Sequence, residues 1–154
     1  MRVGFIGLGN MGTPLAGFVL KAGFPLVIHD IRTEAGATLR EHGASWADSP
    51  ADVAARCDVI CTCVPGPPEM QTVTLGARGV LEGVQPGAVV IDHTTNAPAV
   101  VREVGGALAA RGAHLLDAPL DGGREGAVDR KYRGQHEECS AADSRETDPA
   151  LREG

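Results

Sequence analysis

The sequence is poor in the features that grip a polyanion or a membrane. Its 154 residues carry 14 Lys+Arg against 20 Asp+Glu, for a formal net charge of −6 and a pI near 5.3. Only two of the basic residues are lysines, Lys21 and Lys131, and no Lys/Arg-rich run occurs. Nucleic acid is therefore not an expected partner, because phosphate contacts need clustered positive charge. No apolar stretch approaches the ~18–20 residues of a membrane helix, so no membrane partner is expected either. Cys57, Cys61, Cys63 and Cys139 form no C-x-x-C pair and have no ligand spacing with histidine, which leaves no expected metal site. Three of the four lie in or beside one apolar run and read as buried, reduced thiols. The chain opens on the strand-like Arg2-Val3-Gly4-Phe5-Ile6, with Gly and Asn soon after, unlike a signal peptide. A cytoplasmic location is the expectation.

Composition changes along the chain. Of residues 1–123, 20 are charged, whereas 14 of the 31 residues 124–154 are. The first part can bury a core. The second reads as a polar, disordered tail, giving domain boundaries of 1–123 and 124–154.

Within 1–123, short apolar runs alternate with longer amphipathic stretches. Strands are expected at 2–6, 25–29, 44–46, 58–64, 87–91 and 113–116, and helices at about 10–22, 33–42, 50–56, 67–75 and 98–111. The strands are too continuously apolar for a sheet with one wet face and suit a parallel sheet covered on both. Asp48-Ser49-Pro50 predicts a capped helix start, and Gly23, Gly43 and Gly112 stand where helices should end. The predicted fold is α/β: a doubly wound, Rossmann-type parallel sheet of order 3-2-1-4-5-6.

The sharpest motif is Gly7-Leu8-Gly9-Asn10-Met11-Gly12, between the first strand and the first helix. Gly7 permits a tight turn, Gly9 a close approach of a pyrophosphate to the backbone, and Gly12 close packing of the helix on the sheet. Free N–H groups and the helix dipole then favour a diphosphate. Asp30 closes the second strand, where a carboxylate can accept hydrogen bonds from ribose hydroxyls. It favours NAD, because it would repel a 2′-phosphate. Arg32 can swing towards such a phosphate and keeps NADP open.

The run G-F-I-G-L-G-N-M-G-T-P-L-A resembles the N-terminus of the β-hydroxyacid dehydrogenases, the group that includes 3-hydroxyisobutyrate dehydrogenase and 6-phosphogluconate dehydrogenase. The resemblance continues through Val64-Pro65, Ile91-Asp92-His93-Thr94-Thr95 and Asp117-Ala118-Pro119-Leu120-Asp121-Gly122-Gly123, and covers residues 1–128. It implies an NAD(P)-dependent oxidoreductase acting on CH–OH groups. It further implies that Gly7 to Gly12 cradle the diphosphate and that Val64 and Pro65 line the channel towards the nicotinamide. Thr95 would contact the nicotinamide end, and Asp121, Gly122 and Gly123 would form the substrate-carboxylate loop.

Two departures limit what the resemblance implies. The family loop carries serine where this chain has Asp121, and a carboxylate facing a substrate carboxylate is repulsive. Either the substrate is not a simple anionic hydroxyacid, or Asp121 is turned outward or protonated, or the site no longer works. The family's proton-transferring lysine, in a G-x-x-x-K context on a later helix, has no counterpart: Lys21 ends the first predicted helix and Lys131 lies in a charged run. No catalytic residue is assigned, and the family pattern stops after about residue 128, as in a truncated enzyme. The expected function is the cofactor-binding part of a 3-hydroxyacid dehydrogenase or semialdehyde reductase. A small hydroxyacid or carbonyl would be the substrate of the completed enzyme, and oligomerisation is not expected without its C-terminal domain. The alternative is a stand-alone dinucleotide-binding or sensing module without catalysis.

Overall fold

The computed structural model describes residues 1–120. Asp121, Gly122, Gly123, Lys131, Cys139 and the polar segment 124–154 lie outside the described residues. Six strands, β1 (Val3–Ile6), β2 (Leu26–His29), β3 (Ser45–Trp46), β4 (Val59–Thr62), β5 (Val89–Asp92) and β6 (His114–Asp117), form one sheet of order β3-β2-β1-β4-β5-β6. Every pairing is parallel, with Phe5 opposite Ile28 on one side and Cys61 on the other. The chain leaves β1 at the centre, works outward to β3, then returns to β4. That reversal makes the gap between β1 and β4 the switch point of the sheet.

Side chains alternate across the sheet and divide the core in two. Phe5, Ile28 and Cys61 face the side covered by α1 (Gly12–Lys21) and α2 (Ala37–Glu41), with Ala16 and Leu39 in the same cluster. Ile6, Val27, Ile60 and Val90 face the other side, where α3 (Pro50–Arg56), α4 (Pro67–Leu75), α5 (Val80–Gly83) and α6 (Pro98–Ala110) contribute Val53, Met70, Val80, Val104 and Leu108. Most of these side chains are fully buried, each favourable by about 1.5–3 kcal/mol relative to exposure.

Local chemistry sets the helix ends. Ser49 is the N-cap of α3, its hydroxyl accepting from the Asp52 N–H at 3.1 Å, and Pro50 occupies the first turn. Gly23, Gly43 and Gly112 take left-handed conformations, with φ of 85°, 102° and 73°. Two features depart from the sequence reading. The helix expected over 33–42 is split into a 3₁₀ turn, Thr33–Gly36, and α2. Its Gly36 lies under the Trp46 ring, where a Cβ would come within 2.7 Å. The short α5 was not expected at all. It packs against α3, with the Cα of Gly83 so close to the Ala51 carbonyl oxygen that a Cβ would stand 2.0 Å from it. Helices this short owe their stability to tertiary contact, which local periodicity does not report.

Replacing Ser49 by alanine strips the cap from α3. The expected loss is about 1 kcal/mol of unfolding free energy, measured as a shift in denaturant midpoint at unchanged m-value.

Candidate functional site

The three glycines of the Gly7–Gly12 loop are held by three different constraints. Gly7 leaves β1 with φ +92°, and a Cβ there would stand 2.2 Å from the Cys63 carbonyl oxygen. At Gly12 a Cβ would stand 1.9 Å from the Gly7 carbonyl oxygen and 3.2 Å from the Phe5 ring, so α1 starts pressed against both loop and sheet. At Gly9 a Cβ would meet nothing within 4 Å. Gly9 instead borders a groove of about 860 Å³.

The groove runs over the carboxyl ends of β1, β2 and β4. Gly7, Gly9, Asn10, Met11 and Gly12 form its floor, with Asp30, Ile31 and Arg32 at one end and Val64 and Pro65 at the other. A further wall comes from α4, through Pro68, Glu69, Thr72 and Val73, with Pro50 at the start of α3 beside it. Among the described residues, the backbone N–H groups of Asn10, Met11 and Gly12 have no recorded acceptor, whereas Thr13 N–H is already given to the Gly9 carbonyl at 3.1 Å. No side chain caps α1, and no acidic residue stands in its first turn. The start of α1 thus presents donors and the positive end of a helix dipole to the groove, with no carboxylate of its own to neutralise them.

Leu8 is placed differently from its neighbours. Its side chain is buried, and its N–H donates to Asp30 Oδ2 at 2.7 Å. The other Asp30 oxygen accepts from Arg32 N–H at 2.8 Å and lies 3.4 Å from Arg32 Nε. Asp30 is thus a buried brace between the first loop and the end of β2. Each carboxylate oxygen can accept more than one hydrogen bond, so capacity remains at the groove. The Arg32 side chain is mostly exposed and borders the groove beside it.

Of the described residues singled out in the sequence, Leu8 and Thr95 do not line this groove: Leu8 is buried, and Thr95 is exposed in the loop after β5. Its neighbours Asp92 and Thr94 are each only 2% exposed. His93 stacks on Phe5 with ring centroids 6.4 Å apart, and its Nδ1 lies 3.1 Å from the Ala118 carbonyl. Burial pushes its imidazole below the ordinary value, against the opposing effects of that carbonyl and of Asp92. Sequence reading missed Ile31, 93% exposed at the groove, and the α4 wall. An isolated isoleucine after Asp30 carries no motif, and the approach of α4 to the loop is a tertiary fact.

The family described as the NAD binding domain of 6-phosphogluconate dehydrogenase matches residues 2–135. The chain belongs to this family. The mitochondrial 3-hydroxyisobutyrate dehydrogenase of Rattus norvegicus is 41% identical over 121 residues, which are 79% of this chain and 36% of that enzyme. Among solved structures, 3-hydroxyisobutyrate dehydrogenase from Mycobacterium tuberculosis superposes with a TM-score of 0.80 at 29% identity, covering 87% of this chain and 46% of that one. Psf3, solved in complex with NADP+ and 2-OPP, gives 0.78 at 29%, covering 93% and 52%. The chain is thus an NAD(P)-binding domain of the 3-hydroxyisobutyrate dehydrogenase-like oxidoreductases, and it spans less than half the length of the curated relatives it matches. Among the described residues, no helix is long and apolar enough to cross a membrane, and no cluster of His, Cys, Asp and Glu could hold a metal ion.

Cys57 and Cys61 are buried and suited to packing rather than chemistry, whereas Cys63 is half-buried and borders the groove. Burial raises the thiols of Cys57, Cys61 and Cys63 to about 11, 12 and 11. In the unfolded chain these groups ionise near 9, so their contribution to stability is complete below that pH and is lost as pH rises through the folded values. In a chain carrying both Cys63→Ser and Cys139→Ser, the two buried thiols, Cys57 and Cys61, should not react with a disulfide reagent at pH 8 until denaturant is added, and stability should fall between pH 9 and 12. Rapid labelling of a native thiol would contradict this placement.

Proposed function

We propose that the groove holds a dinucleotide across the switch point, with its diphosphate on the N–H groups of Asn10, Met11 and Gly12 at the start of α1. The observation that carries this reading is Gly9. Folding requires glycine at positions 7 and 12, but packing leaves position 9 open, and Gly9 borders the groove. A backbone kept bare towards an open cavity, beside unpaired donors, fits an anion that must approach closely.

From that anchor the two halves of the ligand fall on opposite sides of β1. Asp30 and Arg32 at the end of β2 receive the adenosine ribose, and Ile31 offers an exposed apolar surface to the adenine. Val64 and Pro65 after β4 line the way to the nicotinamide, with Thr95 beyond them after β5. The bound dinucleotide supplies a hydride acceptor or donor at its nicotinamide ring; the residues here bind and orient it. Asp30 favours NAD, because a buried carboxylate with both oxygens already hydrogen-bonded would lie against a 2′-phosphate. Arg32, whose guanidinium reaches Asp30 through Nε, offsets that repulsion in part, so NADP is the weaker ligand rather than an excluded one.

In a completed enzyme the substrate is a small 3-hydroxyacid or the matching carbonyl, and residues 1–123 form its cofactor domain. The relatives' names support the substrate class. Lys21, the only lysine among the described residues, lies over the Phe18 ring at the end of α1 and does not line the groove. A polypeptide of these 154 residues should bind NADH, and NADPH more weakly, without oxidising or reducing a hydroxyacid pair. Gly9→Ala should leave the thermal melt unchanged and weaken NADH by roughly tenfold or more, the worth of a hydrogen bond to a charged group. Fluorescence titration with both cofactors, run beside melts and a turnover assay, checks each part. Undiminished NADH binding by Gly9→Ala would remove the observation on which the reading rests.

A further inference from the structure

The carboxylate of Asp92 is one of two buried aspartates at the carboxyl edge and the more deeply buried, at 2% against 9% for Asp30. It forms no ion pair among the described residues. Instead three neutral donors converge on it. Thr62 Oγ1 and Thr94 N–H donate to Oδ1 at 2.8 and 3.0 Å, and Asn96 Nδ2 donates to Oδ2 at 2.5 Å. The arrangement extends one step further: Thr94 Oγ1 accepts the Val64 N–H at 3.2 Å. Thr62 and Thr94 are as fully enclosed as Asp92.

Burying a carboxylate without a cation is costly, even when donors surround it. The gain here is positional. The chain from Thr62 through Asp92 and Thr94 to Val64 ties the end of β4, the end of β5 and the two loops that follow them into one unit. The orientation of Asn96 depends on it as well. Its Nδ2 is shared between Asp92 and, at 3.4 Å, the Thr94 carbonyl, while its buried Oδ1 has no partner among the described residues. Asp92 thus holds the amide one way round at the expense of its other end. Val64 borders the groove, and Thr95 lies between two residues of the network.

We infer that Asp92, Thr94 and Asn96 are positioning residues that set the loop pair after β4 and β5 for the nicotinamide half of the dinucleotide, without touching it. The inference rests on the proposed seating of the ligand across the switch point. It separates the two halves of the ligand: the adenosine and diphosphate contacts at β1 and β2 do not pass through this network, whereas Val64 and Thr95 do.

The test compares NADH with ADP-ribose, which lacks the nicotinamide, on the 154-residue chain and three variants. Thr94→Val removes the acceptor for Val64 N–H at nearly constant volume, Thr94→Ser keeps it, and Asn96→Ala withdraws a donor from Asp92. Thr94→Val and Asn96→Ala should each weaken NADH by roughly tenfold, about one hydrogen bond's worth, with ADP-ribose unchanged, and Thr94→Ser should restore NADH binding. Equal loss of both ligands, loss of neither, or failure of both Thr94→Val and Asn96→Ala to fold would assign the network to stability alone and overturn the inference. If the unaltered chain binds ADP-ribose as tightly as NADH, the inference fails while the groove stands. If it binds neither, the seating of the ligand itself fails.

Discussion

The close approach of Gly7 to the Cys63 carbonyl is the constraint on which the carboxyl edge of the sheet depends. It occurs within a ladder that continues each pairing one residue past the strand. Gly7 N–H donates to His29, Cys63 N–H to Ile6, His93 N–H to Thr62 and Ala118 N–H to Asp92, at 2.8–3.0 Å. The four loops that leave β1, β4, β5 and β6 therefore start from fixed heights. A side chain on Gly7 would break the ladder at its centre, because the turn is left-handed and the neighbouring carbonyl occupies the space. The groove is what remains above this ladder once α1 and α4 have packed down beside it.

Two buried carboxylates complete that edge, one on each side of the centre. Asp30 closes β2 and Asp92 closes β5, and each accepts a backbone N–H from a loop, Leu8 for the first and Thr94 for the second. Their surroundings differ in a way that matters. Asp30 has a mobile-length cationic neighbour, Arg32, at 3.4 Å and borders the groove. Asp92 has neutral donors only and stands behind the groove wall. One is placed to meet a ligand and the other to hold what meets it.

Much of this was legible in the sequence because it depends on local pattern. Continuous apolar runs identify buried parallel strands, and all six strands and their order are as expected from them. Gly23, Gly43 and Gly112 mark helix ends because no other residue takes a left-handed cap so cheaply, and Ser49-Pro50 marks a start. What was not legible depends on contacts distant in sequence. The four-residue α5 exists because it packs on α3, and the 3₁₀ turn at Thr33–Gly36 because Trp46 lies over it. The α4 wall and the exposure of Ile31 follow from how helices settle around the loop. The Asp92 network was invisible for the same reason: Thr62 and Val64 meet Asp92 and Thr94 across 30 residues of chain.

The fingerprint glycines show how packing separates folding from binding within a single motif. A glycine whose Cβ would strike backbone, as at positions 7 and 12, is explained by the fold and says nothing about a ligand. Only a glycine that the fold leaves unexplained can report one. Gly9 is that residue, since its missing side chain relieves no contact in the protein. The motif spacing assigns the three roles by analogy, and the packing around each glycine supplies the physical reason for them. The inference to a bound diphosphate therefore rests on one glycine and the unpaired amides beside it, rather than on the recurrence of three.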